Sequence, residues 1–120
     1  MEPQIEKAKF GWIVIGGKKY NHDIIIRLNG RVEKRRKKLS KEIYGTSHRI
    51  SLDEANHIYE EGAERLMIGG GHLGSFKLSD EAAAYLRAKG CEVEIHPIPQ
   101  TIKAWNKASG KCLGLFHVTC

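Results

Sequence analysis

The run Ile68-Gly69-Gly70-Gly71-His72-Leu73-Gly74 constrains this chain more than any other stretch. It follows the apolar Leu66-Met67-Ile68 and precedes a helix signalled at Ser79. A strand that opens into glycines and then a helix leaves backbone N–H groups facing a ligand. The expectation is a loop that floors a pocket beyond the carboxyl end of a parallel strand, where open sheets bind ligands.

The remaining elements fall around this loop. Phe10 to Ile15 is β-branched and aromatic and reads as a strand ending at Gly16-Gly17, with a second strand from Tyr20 to Leu28. Asn29-Gly30 is a hairpin turn, so a third antiparallel strand starts at Arg31 and the first quarter is a β-meander. Residues 39–50 have no clear period and read as an irregular connection. Ser51-Leu52-Asp53-Glu54 is a capping box opening a helix with Leu52, Ala55, Ile58 and Tyr59 on one face, which stops at Gly62. Ser79 caps a second helix, Ala82 to Lys89, ended by Gly90. Cys91 to His96 alternates as a half-exposed strand does, so Leu66–Ile68, helix and this strand form a right-handed parallel βαβ unit. A third helix runs from about Gln100 to Ala108 and buries Ile102, Trp105 and Ala108. The last strand, from Lys111 to Cys120, is apolar on both faces and belongs in the middle of a sheet.

At 120 residues the chain reads as one domain, 1–120. No apolar stretch approaches the ~20 residues of a membrane span, and the polar start Met1-Glu2-Pro3-Gln4 is unlike a secretory signal. Cys91, Cys112 and Cys120 are odd in number and widely spaced, as free thiols in a reducing compartment are. The expected location is the cytoplasm. Of the net charge of +6, Arg31-Val32-Glu33-Lys34-Arg35-Arg36-Lys37-Lys38 supplies +5, so the charge is a local patch.

Five motifs in order resemble a known family: Arg35-Arg36-Lys37, Tyr44-Gly45-Thr46-Ser47-His48, the Ile68 glycine loop, Pro99-x-Thr101-x-x-Ala104-Trp105-Asn106, and the closing His117-Val118-Thr119-Cys120. The chain resembles the small α/β domains of archaeal hypothetical proteins. Their eukaryotic members include the human adipogenesis-associated domain protein and a related mitochondrial complex I assembly factor. The resemblance implies an α/β fold, three-layer α/β/α around a mixed sheet, joined here to the N-terminal antiparallel β-meander. It implies no reaction. The family's usual loop is Gly-Thr/Ser-Gly, and Gly70 removes the middle hydroxyl.

Several residues compete for a role. Gly69-x-Gly71-x-x-Gly74 matches the dinucleotide fingerprint, but the helix starts some five residues late and His96 stands where a ribose-binding acid belongs. The glycines serve either a tight turn of positive φ or an anion loop. His117-x-x-Cys120 places its side chains on opposite faces of a strand, so no metal is expected, and no cofactor. Nothing places a base beside Cys120, which reads as a small apolar residue closing the strand. Thr101 reads as a helix N-cap, and Asn106 either satisfies a buried backbone group or faces the pocket. His48 and His117 are the acid–base candidates near neutral pH.

The leading functional reading is a small polar or anionic ligand held by Gly69, Gly70, Gly71, His72, Gly74, Thr101 and Asn106. A second is a protein-interaction or assembly factor without catalysis. A third is nucleic-acid backbone binding through Arg31, Lys34, Arg35, Arg36, Lys37 and Lys38, a segment that also suits a solvated edge strand. That segment lacks interleaved aromatics for stacking on single strands. Whether the chain is an enzyme stays open.

Overall fold

The structure is a computed structural model and describes residues 1–70 and 76–119. Its centre is a five-stranded mixed sheet. The strands β4 (Ile24–Ile26), β5 (Val32–Lys34), β7 (Arg65–Gly69), β9 (Glu92–His96) and β10 (Cys112–Phe116) lie in the order β5-β4-β10-β7-β9. β10, β7 and β9 run parallel, and β4 is antiparallel to both its neighbours. The apolar final strand is therefore central, as its two faces require. Asn29-Gly30 joins β4 to β5 as the hairpin expected. The parallel pair β7–β9 is the sheet half of the βαβ unit, with α3 (Asp80–Ala88) between them in sequence.

Alternation along the strands sorts the core into two layers. Ile25, Leu66, Ile68, Leu113 and Leu115 pack on one side against Ala55 and Ile58 of α2 (Leu52–Ile58) and Ala82 and Leu86 of α3. Ile24, Ile26, Met67 and Phe116 pack on the other against Ile98 and Trp105 of α4 (Ile98–Lys107). That second layer is completed by Ile5, Ile13 and Ile15 of a small antiparallel sheet, β1 (Ile5–Lys9), β2 (Trp12–Ile15) and β3 (Lys18–Tyr20). The result is three layers around a mixed sheet, with the N-terminal β-structure sharing a layer with α4.

Several local expectations are corrected. The meander is two pieces, because the expected Tyr20–Leu28 strand breaks at residues 21–23 and its halves join different sheets. β1 precedes the strand expected to open the chain; only Ile5 of its five residues is buried, which leaves little apolar pattern to read. Residues 39–50 are not irregular. They hold most of α1 (Lys38–Tyr44) and β6 (Arg49–Ile50), the latter paired in parallel with β8 (Lys77–Leu78). α1 lacks a side-chain N-cap and buries one residue, Ser40, and Gly45 ends it in the left-handed conformation at φ 71°. α2 stops at Ile58 rather than Gly62, and Leu52 points outward at 42% exposure. α4 starts two residues early, with Pro99 accommodated in its first turn. Among the described residues no helix is long and apolar enough to cross a membrane.

Candidate functional site

Arg35 stands in the most basic segment of the chain, yet it is 3% exposed. A guanidinium tolerates burial only when its donors are matched, and here they are. Nε donates to Glu54 Oε2 at 2.6 Å and Nη2 to Glu54 Oε1 at 3.0 Å, a fork on one carboxylate. Nη1 donates to Asp23 Oδ2 at 2.9 Å, and Nη2 also donates to the Ser47 carbonyl at 2.7 Å. The Phe76 ring lies 5.3 Å from the guanidinium carbon. Glu54 also accepts from the Ser40 hydroxyl. Residues from the start of β4, the end of β5, α1, α2 and the 47–48 turn thus meet on one cation.

Asp23 is the second hub. Its Oδ1 accepts from the N–H groups of Val118 and Thr119 at 2.8 and 3.0 Å, and from the Thr119 hydroxyl at 3.0 Å. Its Oδ2 takes Arg35 and the His117 Nδ1–H at 2.7 Å. Because a carboxylate only accepts, it fixes the His117 proton on Nδ1; the 3.2 Å approach of Arg35 Nη1 to that nitrogen is then a contact between two donors. Lys37 donates to the Thr119 hydroxyl and lies 3.7 Å from Asp23 Oδ2. Burial opposes ionisation of Asp23, but His117, the Thr119 N–H and Arg35 outweigh it and hold the carboxyl well below the usual range.

A carboxylate so saturated is no proton acceptor. It orients the His117 ring through Nδ1, which leaves Nε2 as the nitrogen turned away from Asp23. The His48 ring meets His117 edge to face at 4.8 Å, so the two expected histidines are brought together. Partial burial, His117 and Arg35 all push His48 below its ordinary value.

The linkage of Asp23 has a definite sign. A depressed folded pKa stabilises fully above the unfolded value of about 3.9, and the benefit fades as pH falls through that value toward the folded one. In urea melts, the stability gap between wild type and Asp23→Asn is expected to be widest above about pH 5 and to narrow below about pH 4. A gap constant over that range would show that the charge of Asp23 adds nothing.

Gly69 and Gly70, the described glycines of the loop, continue the β7 strand. Gly71, His72 and Gly74 lie outside the described residues, as does Cys120. The Gly70 N–H is bonded to His96 O at 2.9 Å, and Gly69 O accepts from the His117 N–H at 2.8 Å, so both extend the sheet ladder. Neither has positive φ; they are glycines because there is no room for more. A Cβ on Gly69 would lie 2.7 Å from Phe116 Cδ2, and one on Gly70 2.8 Å from Phe76 Cβ.

Thr101 is not an N-cap. It sits inside α4 with its hydroxyl 3.2 Å from both Ile68 O and His96 O, tying α4 to the ends of β7 and β9. Asn106 exchanges two hydrogen bonds with Ile5, Oδ1 accepting and Nδ2 donating at 2.9 Å each, so it satisfies backbone rather than facing a pocket. Thr101 thus lies at the end of β7 beside Gly69, and Asn106 at the start of β1.

The structure instead opens a cleft of about 880 Å³ against the Asp23–Arg35 pair. Lys34, Arg36, Lys37 and Lys38 line it together with Asn21, His22, Glu42 and Thr119. Among the described residues the side chains of Lys34, Arg36 and Lys38 make no hydrogen bond or ion pair, and all three are exposed. Arg31 is exposed at the hairpin turn and does not line the cleft. The basic segment therefore divides: Arg35 is structural, Lys37 is tied to Thr119, and three cations face open space. Sequence reading missed Asp23 and Thr119. The one available signal was an acid placed directly before three consecutive isoleucines, a position where a charge needs a buried partner.

A family model described as a protein of unknown function (DUF498/DUF598) matches residues 5–112. A conserved hypothetical protein from Pyrococcus horikoshii is 33% identical, with 98% of this chain and 99% of that chain covered and a TM-score of 0.89. The protein MT938 is 28% identical over 98% of each chain, with a TM-score of 0.81. A Mth938-like domain from Bordetella pertussis shares the fold at 16% identity and a TM-score of 0.62, with 97% of this chain and 85% of that one covered.

Proposed function

We propose, for a chain that belongs to the DUF498/DUF598 family of proteins of unknown function, that it binds a small anionic ligand in the cleft lined by Lys34, Arg36 and Lys38. The observation that carries this reading is a set of three uncommitted cations around a cleft of about 880 Å³, a volume suited to a metabolite. The wall behind them is preorganised by the Asp23–Arg35–Glu54 network, which leaves little to reorder when a ligand arrives. The reading keeps the anionic ligand expected from the sequence and moves it from the glycine loop to the basic segment. It places the protein in the cytoplasm, in keeping with the free, buried thiols of Cys91 and Cys112.

Thermal shift against phosphorylated metabolites, nucleotides and polycarboxylates tests it. A ligand at ~100 times its Kd should add about 2.7 kcal/mol of stability, several degrees in Tm. Lys34→Glu/Arg36→Glu/Lys38→Glu should abolish that shift while folding normally, since the three side chains are exposed. Stabilisation that persists in the triple variant would place the ligand elsewhere, and no response at millimolar ligand would end the reading.

A second reading, an interaction or assembly module like the eukaryotic proteins the motifs resemble, is favoured by two exposed apolar side chains. Ile43 on α1 is 54% exposed, and Leu52 on the adjoining α2 is 42% exposed.

A further inference from the structure

The small sheet has one face with no part in the core. Its register pairs Lys9 with Trp12 and Lys7 with Val14, and Val14 in turn with Lys19. Because Ile13 and Ile15 point into the second core layer, alternation puts Lys7, Lys9, Trp12, Val14 and Lys19 together on the outer face. Trp12 is half-buried at its centre. The Lys19 ammonium lies 4.8 Å from the indole centroid and that of Lys7 5.7 Å. Phe10, in the turn between Lys9 and Trp12, is 66% exposed, the most exposed large apolar side chain described. Glu6, next to Lys7 in β1, accepts from the Gly17 N–H at 2.9 Å.

We propose that this face binds single-stranded nucleic acid, with bases stacking on Trp12 and Phe10 and phosphates held by Lys7, Lys9 and Lys19. An aromatic presented on a β-sheet and ringed by cations is the arrangement single strands require, because every unpaired base has a π-face and every nucleotide a charge. A duplex keeps its bases stacked inside and offers no partner to the indole. The ammonium groups over the indole mark where an electron-rich ring attracts cations, and they can swing to flanking phosphates when a base takes the ring face. The interleaved aromatics missing from residues 31–38 are thus found in residues 7–19. Lys7, Lys9, Phe10, Trp12 and Lys19 are not among the residues that line the cleft, and the inference does not depend on the cleft's ligand.

The test uses the full chain and a ~12-nucleotide oligothymidylate at low salt, a length spanning one such platform. Trp105 is wholly buried, so quenching of the solvent-exposed emission component reports Trp12. Binding is expected to quench that component, with log K falling against log salt at a slope of about −2 for three phosphates on a single strand. By anisotropy of labelled oligonucleotide, Trp12→Ala and Lys7→Glu/Lys19→Glu should each weaken binding at least ~10-fold. Lys103→Glu/Lys107→Glu, an equal charge change on the exposed side of α4, should leave it within about twofold. The proposal is overturned by absence of binding at low salt, or by affinity unchanged in Trp12→Ala. It is equally overturned if anionic phospholipid vesicles shift Trp12 emission while the oligonucleotide does not, which would make the face a membrane contact.

Discussion

Arg35→Ala is expected to lower stability by about 3–5 kcal/mol, the cost of leaving buried charges without their partner. Asp23 and Glu54 are 1% and 0% exposed, and the variant would strand both carboxylates at once. For a chain of this size the loss corresponds to roughly 10–20 °C in Tm. Arg35→Lys should recover only part of it, because an ammonium cannot serve the Glu54 fork, Asp23 and the Ser47 carbonyl together. The neighbouring Arg36→Ala, which removes an exposed side chain, should stay within about 0.5 kcal/mol. Chemical denaturation of the three variants measures this directly. Equal effects at positions 35 and 36 would mean that the buried network contributes no stability.

Trp105→Ala is expected to be as severe, at about 3–5 kcal/mol. The indole is fully buried between the central strand and the small sheet, and its N–H donates to Pro3 O at 2.8 Å. Gly114 makes this possible: a Cβ there would lie 3.1 Å from Trp105 Cζ3, so the central strand gives up a side chain to seat the ring. Truncation therefore removes the largest side chain of the second core layer and leaves a carbonyl without its donor. Trp105→Phe, which keeps most of the volume, should lose markedly less. Urea melts would refute this account if the alanine variant lost under about 1 kcal/mol.

Much of the fold was legible from local pattern. Two apolar faces placed β10 in the middle of its sheet, Asn29-Gly30 gave a hairpin, and Ser51 and Ser79 cap the helices they precede, accepting from the Glu54 and Ala82 N–H groups. The candidate site was less legible, because its determinants are long-range. Ser-x-x-Glu at 51–54 reads as a reciprocal cap, but only its serine half forms. Glu54 turns inward to Arg35 instead, and Ser40 supplies the Ser51 N–H with an acceptor. Nothing within Arg35-Arg36-Lys37-Lys38 marks which cation is buried. That is decided by an acid 12 residues upstream and another 19 downstream. Gly69 and Gly70 suggested an open anion cradle, whereas the residues that exclude a side chain there are Phe116 and Phe76. Thr101 and Asn106 stood out as special residues, and their hydroxyl and carboxamide bond the backbone at the ends of strands.

The pairing of Asn106 with Ile5 bears on how the chain behaves among its own copies. β1 borders the small sheet, and a border strand invites neighbouring molecules to add on. At its first residue both main-chain groups are already occupied by a carboxamide from α4, and lysines at positions 7 and 9 repel a like-charged copy farther along. A surface that exposes Phe10 and part of Trp12 is in this way kept from becoming adhesive toward itself.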